Sequence, residues 1–409
     1  MKNYVKKFLF ISLSVLISFI VIELVLFILL STVYKNFNKP KLFADIYDKA
    51  LQGQELSIAG HPYFSFVLSE HFSFYDDTAD EFKKLKVNNY GFSSSFDFPV
   101  LPKKGELRIG IFGGSVAFEL GNFLELINKD INESLKNGNI KLKFLNFGLP
   151  STKQPQQFFI SSYFLSSVDV GINLDGFNEV NTFSYPSVPI EYPSYSPALL
   201  FNNKEYFNLL VNNLNKKKTF KRFMDTFSVF IKNSNIGISL ALIYNRWTEY
   251  GDRKVNQAVP ELNFKHKGKI KDELEVLEAS VEIWSKYTSY QKALFASERK
   301  KLLVIPQPNL YLQNKKQLTL NEKRLREIGY VKAESKIGMI QRYSTFIKRA
   351  FELQPQAIDI LDIYNNFPSD AYRDSCCHLT EKANLMLAKK IVEILEKKVL
   401  KGYNEIQEK

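Results

Sequence analysis

The chain has 409 residues, 45% of them hydrophobic and 14% aromatic, which suffices for one domain with an insertion or for two domains. Its formal net charge is +12, but the lysines form no compact basic helix, and the sequence carries no helix-turn-helix, zinc-finger or RNA-binding signature; nucleic acid is excluded as the expected partner. The only two cysteines, Cys376 and Cys377, are neighbours and imply no disulfide framework, and four scattered histidines offer no His-rich metal site.

From Phe8 to Val33 the sequence is almost wholly apolar, with Glu23 its single charge. As a helix it would be about 39 Å long, more than the ~30 Å hydrocarbon core of a bilayer. One carboxylate costs about 3 kcal/mol on insertion scales, which the surrounding Leu, Ile, Val and Phe offset. A cleaved signal peptide would have a shorter apolar region and a small-residue cleavage site, and neither is present. We therefore expect an uncleaved, single-pass anchor at residues 1–33. Lys2, Lys6 and Lys7 precede the segment and Lys35, Lys39 and Lys41 follow it, so flanking charge does not orient it. Large domains cross regardless of such charge, and we read the rest of the chain as extracytoplasmic.

Residues 34–100 show no sustained period and read as a stalk and lead-in. Leu107 to Phe112 predicts a strand, Gly113-Gly114-Ser115 a tight turn, and Leu120, Phe123, Leu124, Ile127, Ile131 and Leu135 one face of a helix that Asn137-Gly138 would end. Lys141 to Asn146 alternates as a strand, 155–167 reads as a helix, and Val168 to Leu174 as a strand. Residues 183–197, rich in Tyr, Pro and Ser, read as a loop, 199–247 as amphipathic helix, and 248–272 as a polar connection. A helix from 272 to 300, a buried strand Lys301 to Ile305, a helix near 322–352, a strand Ala357 to Ile363 and a helix Thr380 to Lys398 complete the series. Five strands alternating with helices predict a three-layer α/β/α domain with a parallel sheet over 101–399. It carries a mainly helical insertion at about 183–300 and a polar tail at 400–409.

In such a sheet the working site lies beyond the carboxyl ends of the strands. Ser115 there sits on a sharp turn at a helix N-terminus, where the dipole and unpaired N–H groups favour a developing oxyanion. Gly148, in Asn146-Phe147-Gly148, offers a bare backbone N–H, and Asn178, in Asp175-Gly176-Phe177-Asn178-Glu179, offers an amide. Each alone is equally well a turn residue. His378 follows Asp374-Ser375-Cys376-Cys377 on a loop before the last helix, with Thr380 as its expected N-cap. A neutral imidazole there could take the serine proton while a carboxylate orients it. His61, His71 and His266 lie away from strand ends.

Together these blocks resemble the SGNH (GDSL-like) hydrolase family, whose marker residues are Ser, Gly, Asn and His in that order. The match covers about residues 87–399 and is strongest with membrane-associated bacterial members that have a Gly-Gly-Ser nucleophile block. Val87-Asn88-Asn89-Tyr90-Gly91-Phe92 and Gln307-Pro308-Asn309 add to it. Gly114 stands where the family often has Asp. The family acid lies three residues before His, where this chain has Ser375. Asp374, four before, is the expected acid, with Asp370 or a Ser115–His378 dyad as alternatives. The resemblance implies esterase chemistry on O-acyl esters, with an O-acetylated cell-surface glycan as a fitting substrate. It implies Ser115, His378 and Asp374 as catalytic residues, and Ser115, Gly148 and Asn178 as the oxyanion hole, without metal or cofactor. An O-acyltransferase using the same residues, or a catalytically inactive scaffold of envelope polysaccharide assembly, are the rival expectations.

Overall fold

The computed structural model describes residues 2–34, 86–135, 140–180, 222–257, 273–312, 316–329 and 338–401, with short pieces at 38–39, 41–42, 58–61, 63–69 and between 212 and 219. In chain order the first elements are helix α1 (Lys2–Val33), strands β1 (Ile58–His61), β2 (Ser65–Leu68) and β3 (Glu106–Gly113), and helices α2 (Ser115–Leu126) and α3 (Asn128–Ser134). Then come β4 (Lys141–Asn146), α4 (Gln156–Phe164), β5 (Val170–Asp175), the single turn α5 (Phe177–Val180), α6 (Ser228–Asn233) and α7 (Asn235–Gln257). The last are α8 (Glu273–Ser297), β6 (Lys301–Pro306), α9 (Leu320–Ile328), α10 (Met339–Leu353) and α11 (Glu381–Leu395). They fall into two compact units, one of Met1–Leu56 with Leu199–Pro260, the other of Ser57–Ala198 with Glu261–Lys409.

In the first unit, Phe10–Val33 of α1 is long and apolar enough to cross a membrane. Leu30 is buried there with Met224, Ile231, Ile238 and Ala241.

The second unit is an α/β domain whose parallel sheet has four strands in the order β4-β3-β5-β6. The buried run of β3 explains its central place, because a strand covered on both faces needs no polar side. Leu107, Ile109 and Ile111 face one core with Val116, Leu120 and Leu124 of α2 and residues of α11. Phe112 faces the other with Phe92, Phe98, Phe147, Phe164 and Phe295. The order reverses direction at β3, since β4 lies on one side of it and β5 on the other, so the crevice at the carboxyl ends of β3 and β5 is where such sheets bind ligands.

The expected fifth strand does not form. Ile358 N donates to Val304 O at 2.8 Å, one bond of a ladder, but Asp359 Oδ1 then accepts from Leu361 N at 2.9 Å and the chain turns away. A short Asp side chain offers the backbone an alternative to the ladder. The helix expected near 322–352 is two helices. α9 starts with a capping box at Thr319 and Glu322 and ends at Gly329 with φ 66°. The insertion also divides otherwise than expected: α7 continues to Gln257, into the expected connection, and belongs to the first unit, while α8 belongs to the second. Part of the stalk region, the β1–β2 hairpin and residues 87–100, is likewise built into the second unit. The expected loop at 183–197, the Asn137-Gly138 stop and residues 258–272 lie outside the described residues.

Candidate active site

Strand β3 ends at Gly113, whose φ of 146° suits glycine alone; a Cβ there would stand 2.1 Å from Leu174 O of β5. Ser115 then opens α2, half-buried among fully buried neighbours. No side chain caps this helix, and its first intrahelical bond runs from Phe118 N to Gly114 O at 2.9 Å, so the N-terminal N–H groups point toward the sheet edge.

The loops after β4 and β5 are tied to this turn. Thr152 Oγ1 donates to Gly113 O at 2.8 Å, and Thr152 O accepts from Asn178 Nδ2 at 2.7 Å. A Cβ on Gly114 would lie 2.1 Å from Asn178 Nδ2, so the amide sits directly against the residue before Ser115. Glu179 braces the same two loops, accepting from Gln154 N and Gly176 N, each at 3.1 Å. Gly148 has a different part. It is buried, its N–H donates to Asn146 Oδ1 at 3.0 Å, and a Cβ would stand 2.4 Å from Phe118 N. Its bareness lets the β4 loop press onto the first turn of α2.

His378 lies on the loop before α11. Its Nδ1–H donates to Asp374 Oδ2, and Asp374 Oδ1 accepts from the backbone N–H of Cys376 at 2.9 Å and Cys377 at 3.1 Å. The tight turn over 374–378 thus delivers a carboxylate four residues upstream. Asp370 is engaged elsewhere, accepting from Thr319 Oγ1 and, at 2.9 Å, from Asn321 Nδ2. Thr380 occupies the N-cap position of α11, but its hydroxyl donates to Asp370 O at 2.9 Å and caps nothing. Tyr311, just beyond Gln307-Pro308-Asn309, steadies the turn by donating its hydroxyl to Ser375 O.

Glu119 and Arg373 join the two halves. Glu119 is one helical turn after Ser115, and its carboxylate accepts from Arg373 of the His378 loop at 2.7 Å. Burial and the Asp374 charge push Glu119 up, against the nearby His378 and Arg373. Burial lowers His378, but the Asp374 hydrogen bond and the negative charge around it, including Glu119, win and raise it to about 9. Burial likewise raises Asp374, yet the bonds from His378 and Cys377 hold it below its usual range. Lys153 is buried beside Glu179, and burial brings it down to about 8 against the attraction of that carboxylate. Burial and the Glu179 charge hold Asp175 well up, against the bond that Trp284 Nε1 donates to it at 2.8 Å.

Sequence reading picked out Ser115, Asn178, Asp374 and His378 but missed Glu119, Arg373, Thr152 and Lys153. Only Glu119 carried a signal, its i+4 spacing from Ser115. Cys376, Cys377 and His378 bring three metal-type donor atoms within 4.8 Å of one another. The two sulfurs are 2.9 Å apart, whereas thiolates on a tetrahedral zinc stand about 3.8 Å apart. That set does not fit a zinc ion as it stands. No family model and no curated protein matches this chain.

Proposed function

We propose that this chain is a membrane-anchored serine esterase of the SGNH type, its hydrolytic domain extracytoplasmic, acting on O-acyl esters. The observation that carries the reading is the oriented Asp374–His378 pair on a loop that Arg373 fastens to the helix beginning at Ser115. In this reading Ser115 Oγ attacks the ester carbonyl and His378 Nε2 takes its proton, then returns it to the departing alcohol. Asp374 fixes the tautomer by holding Nδ1–H and stabilises the imidazolium. The Ser115 N–H at the α2 N-terminus and the Asn178 amide hold the oxyanion, with Gly148 supplying the room that brings their loops together. Water completes the cycle by hydrolysing the acyl-serine. An O-acetylated cell-surface glycan suits the anchor and the positive charge.

The 374–378 turn supports Asp374 as the acid, since it brings that carboxylate to the His378 ring from four residues upstream. p-Nitrophenyl acetate hydrolysis by the full chain in detergent, beside Ser115→Ala, tests the proposal. Turnover that the substitution abolishes supports it, and equal rates in the two proteins overturn it.

A further inference from the structure

Glu23 sits inside the apolar span Phe10–Val33, about 20 Å from its start and about 15 Å from its end. Its carboxylate is not left bare. It accepts from Ser234 Oγ, from Asn235 N at 2.7 Å and from Ile236 N at 3.0 Å, while Asn235 Nδ2 donates to the Glu23 carbonyl at 3.0 Å. These donors are the N-terminus of α7, so a side chain of α1 caps a second helix at mid-span, where a carboxylate meets the positive end of the helix dipole.

From that foot α7 runs alongside the C-terminal half of α1. Ile238 and Ala241 are buried with Leu30, and Leu242 and Tyr244 pack there with Tyr34 and Leu42. Asn235 to Tyr244 rises about 14 Å, close to the distance left to the end of the span. The opposite face of α7 carries a second apolar stripe, Leu240, Ile243, Trp247 and Tyr250, with spacings of three and four that align it on one side. All four are exposed, Ile243 to 67%, and so are Leu24, Phe27 and Ile28 of α1. The stripe ends in aromatics beside charge. Lys216 Nζ lies 4.3 Å from the Trp247 ring centroid, Tyr244 donates to Lys216 O at 2.9 Å, and Arg246 is exposed. Trp and Tyr beside cations mark the bilayer–water interface. Lys39 Nζ meets Asn233 O at 3.3 Å, a cation at the C-terminus of α6.

We propose that α7 is a second lipid-embedded element, a half-span helix seated on Glu23, with Leu240 and Ile243 against acyl chains and Trp247 and Tyr250 at the headgroup level. The occupant of the stripe is the bilayer that α1 crosses. A helix whose foot is bonded at mid-span of a crossing helix shares that helix's depth. The proposal rests on α1 spanning the membrane, and the test separates the two.

The full chain carrying Trp247→Phe is reconstituted into phosphatidylcholine vesicles with plain or acyl-brominated chains, and buried Trp284 gives a constant background. Ile17→Trp reports on α1 and Ile243→Trp on α7. Bromine quenching of both to a comparable extent is the expected result. Quenching with Ile17→Trp but not with Ile243→Trp overturns the proposal while the anchor stands, and assigns the stripe to a protein partner such as a second copy. Quenching with neither overturns the anchor and the proposal together. The unsubstituted chain checks that the new tryptophans do not create the result. Trp247 itself is expected to be quenched most by bromines close to the headgroups, and no quenching of Trp247 at any depth counts against the proposal.

Discussion

Arg373 reaches Glu119 across 254 residues of sequence, and this 2.7 Å ion pair holds the loop of His378 against the helix of Ser115. Two groups far apart in the chain thereby share one low-dielectric corner, where the guanidinium opposes the rise that burial imposes on Glu119.

Removing either partner leaves the other poorly compensated. Arg373→Met strands the buried Glu119 carboxylate and should cost about 1–3 kcal/mol, with a larger loss of kcat than of KM because the His378 loop is freed. Glu119→Gln keeps an acceptor and should cost less. Denaturant midpoints and steady-state ester hydrolysis on the two variants check the order; equal losses would remove the positioning role of the pair.

The raised His378 predicts an alkaline enzyme. At neutral pH the imidazole is largely protonated and cannot accept the serine proton, so kcat/KM should climb along a limb centred near 9. Asp374→Asn removes the hydrogen bond that most favours the charged ring and should move that limb toward 6.5 while lowering kcat. Stability runs the other way. A folded-state pKa above the ordinary 6.5 contributes stability that is whole below 6.5 and is lost as pH rises through about 9. Melting temperatures between pH 6 and 10, compared with His378→Gln, read this out, and parallel curves for the two proteins would refute it.

Asn178→Ala should lower kcat by about 10²–10³ with little change in KM, the loss typical of one oxyanion donor. Gly114→Ala should approach the same defect without touching Asn178, since its Cβ would occupy the space 2.1 Å from Nδ2 and push the amide off Thr152 O. The backbone at Gly114 has φ −80°, open to alanine, so the fold should survive. Wild-type kcat in either variant would count against the oxyanion assignment.

Glu179→Ala leaves the N–H groups of Gln154 and Gly176 buried without their acceptor and should cost about 2–6 kcal/mol, summed over two unsatisfied donors. Buried Lys153 loses its counter-charge in the same step, so Lys153→Met should partly rescue the stability of Glu179→Ala. A double-mutant cycle in denaturant measures the coupling; additive effects would dissolve the pair.

Much of this molecule was legible in its residues. The apolar runs at 107–112, 168–174 and 301–305 and the alternation at 141–146 predict strands of one parallel sheet, and all four formed, β3 and β5 inside the order and β4 and β6 at its ends. Ser115 and Asn178 were visible because strand ends are marked by Gly, Asn and Asp, which tolerate the turns that follow. The apolar length of residues 8–33 alone set a helix able to cross a bilayer.

Other decisions belong to tertiary structure, because they depend on which backbone groups find partners. Ala357 to Ile363 has strand-like residues, yet the Asp359 side chain takes a backbone N–H and the chain turns after one ladder bond. Counting back from His378 left Asp374, Asp370 or no carboxylate as its partner, since only the turn over 374–378 brings the Asp374 carboxylate to the ring. Glu119 looked like any helix acid until the His378 loop folded onto it. Glu23 looked like a tolerated charge in an anchor, and only the approach of α7, more than 200 residues later, gave it donors. Local pattern determines where strands and helices arise; the pairing of buried charge and hydrogen-bonding groups between distant segments was decided only on folding.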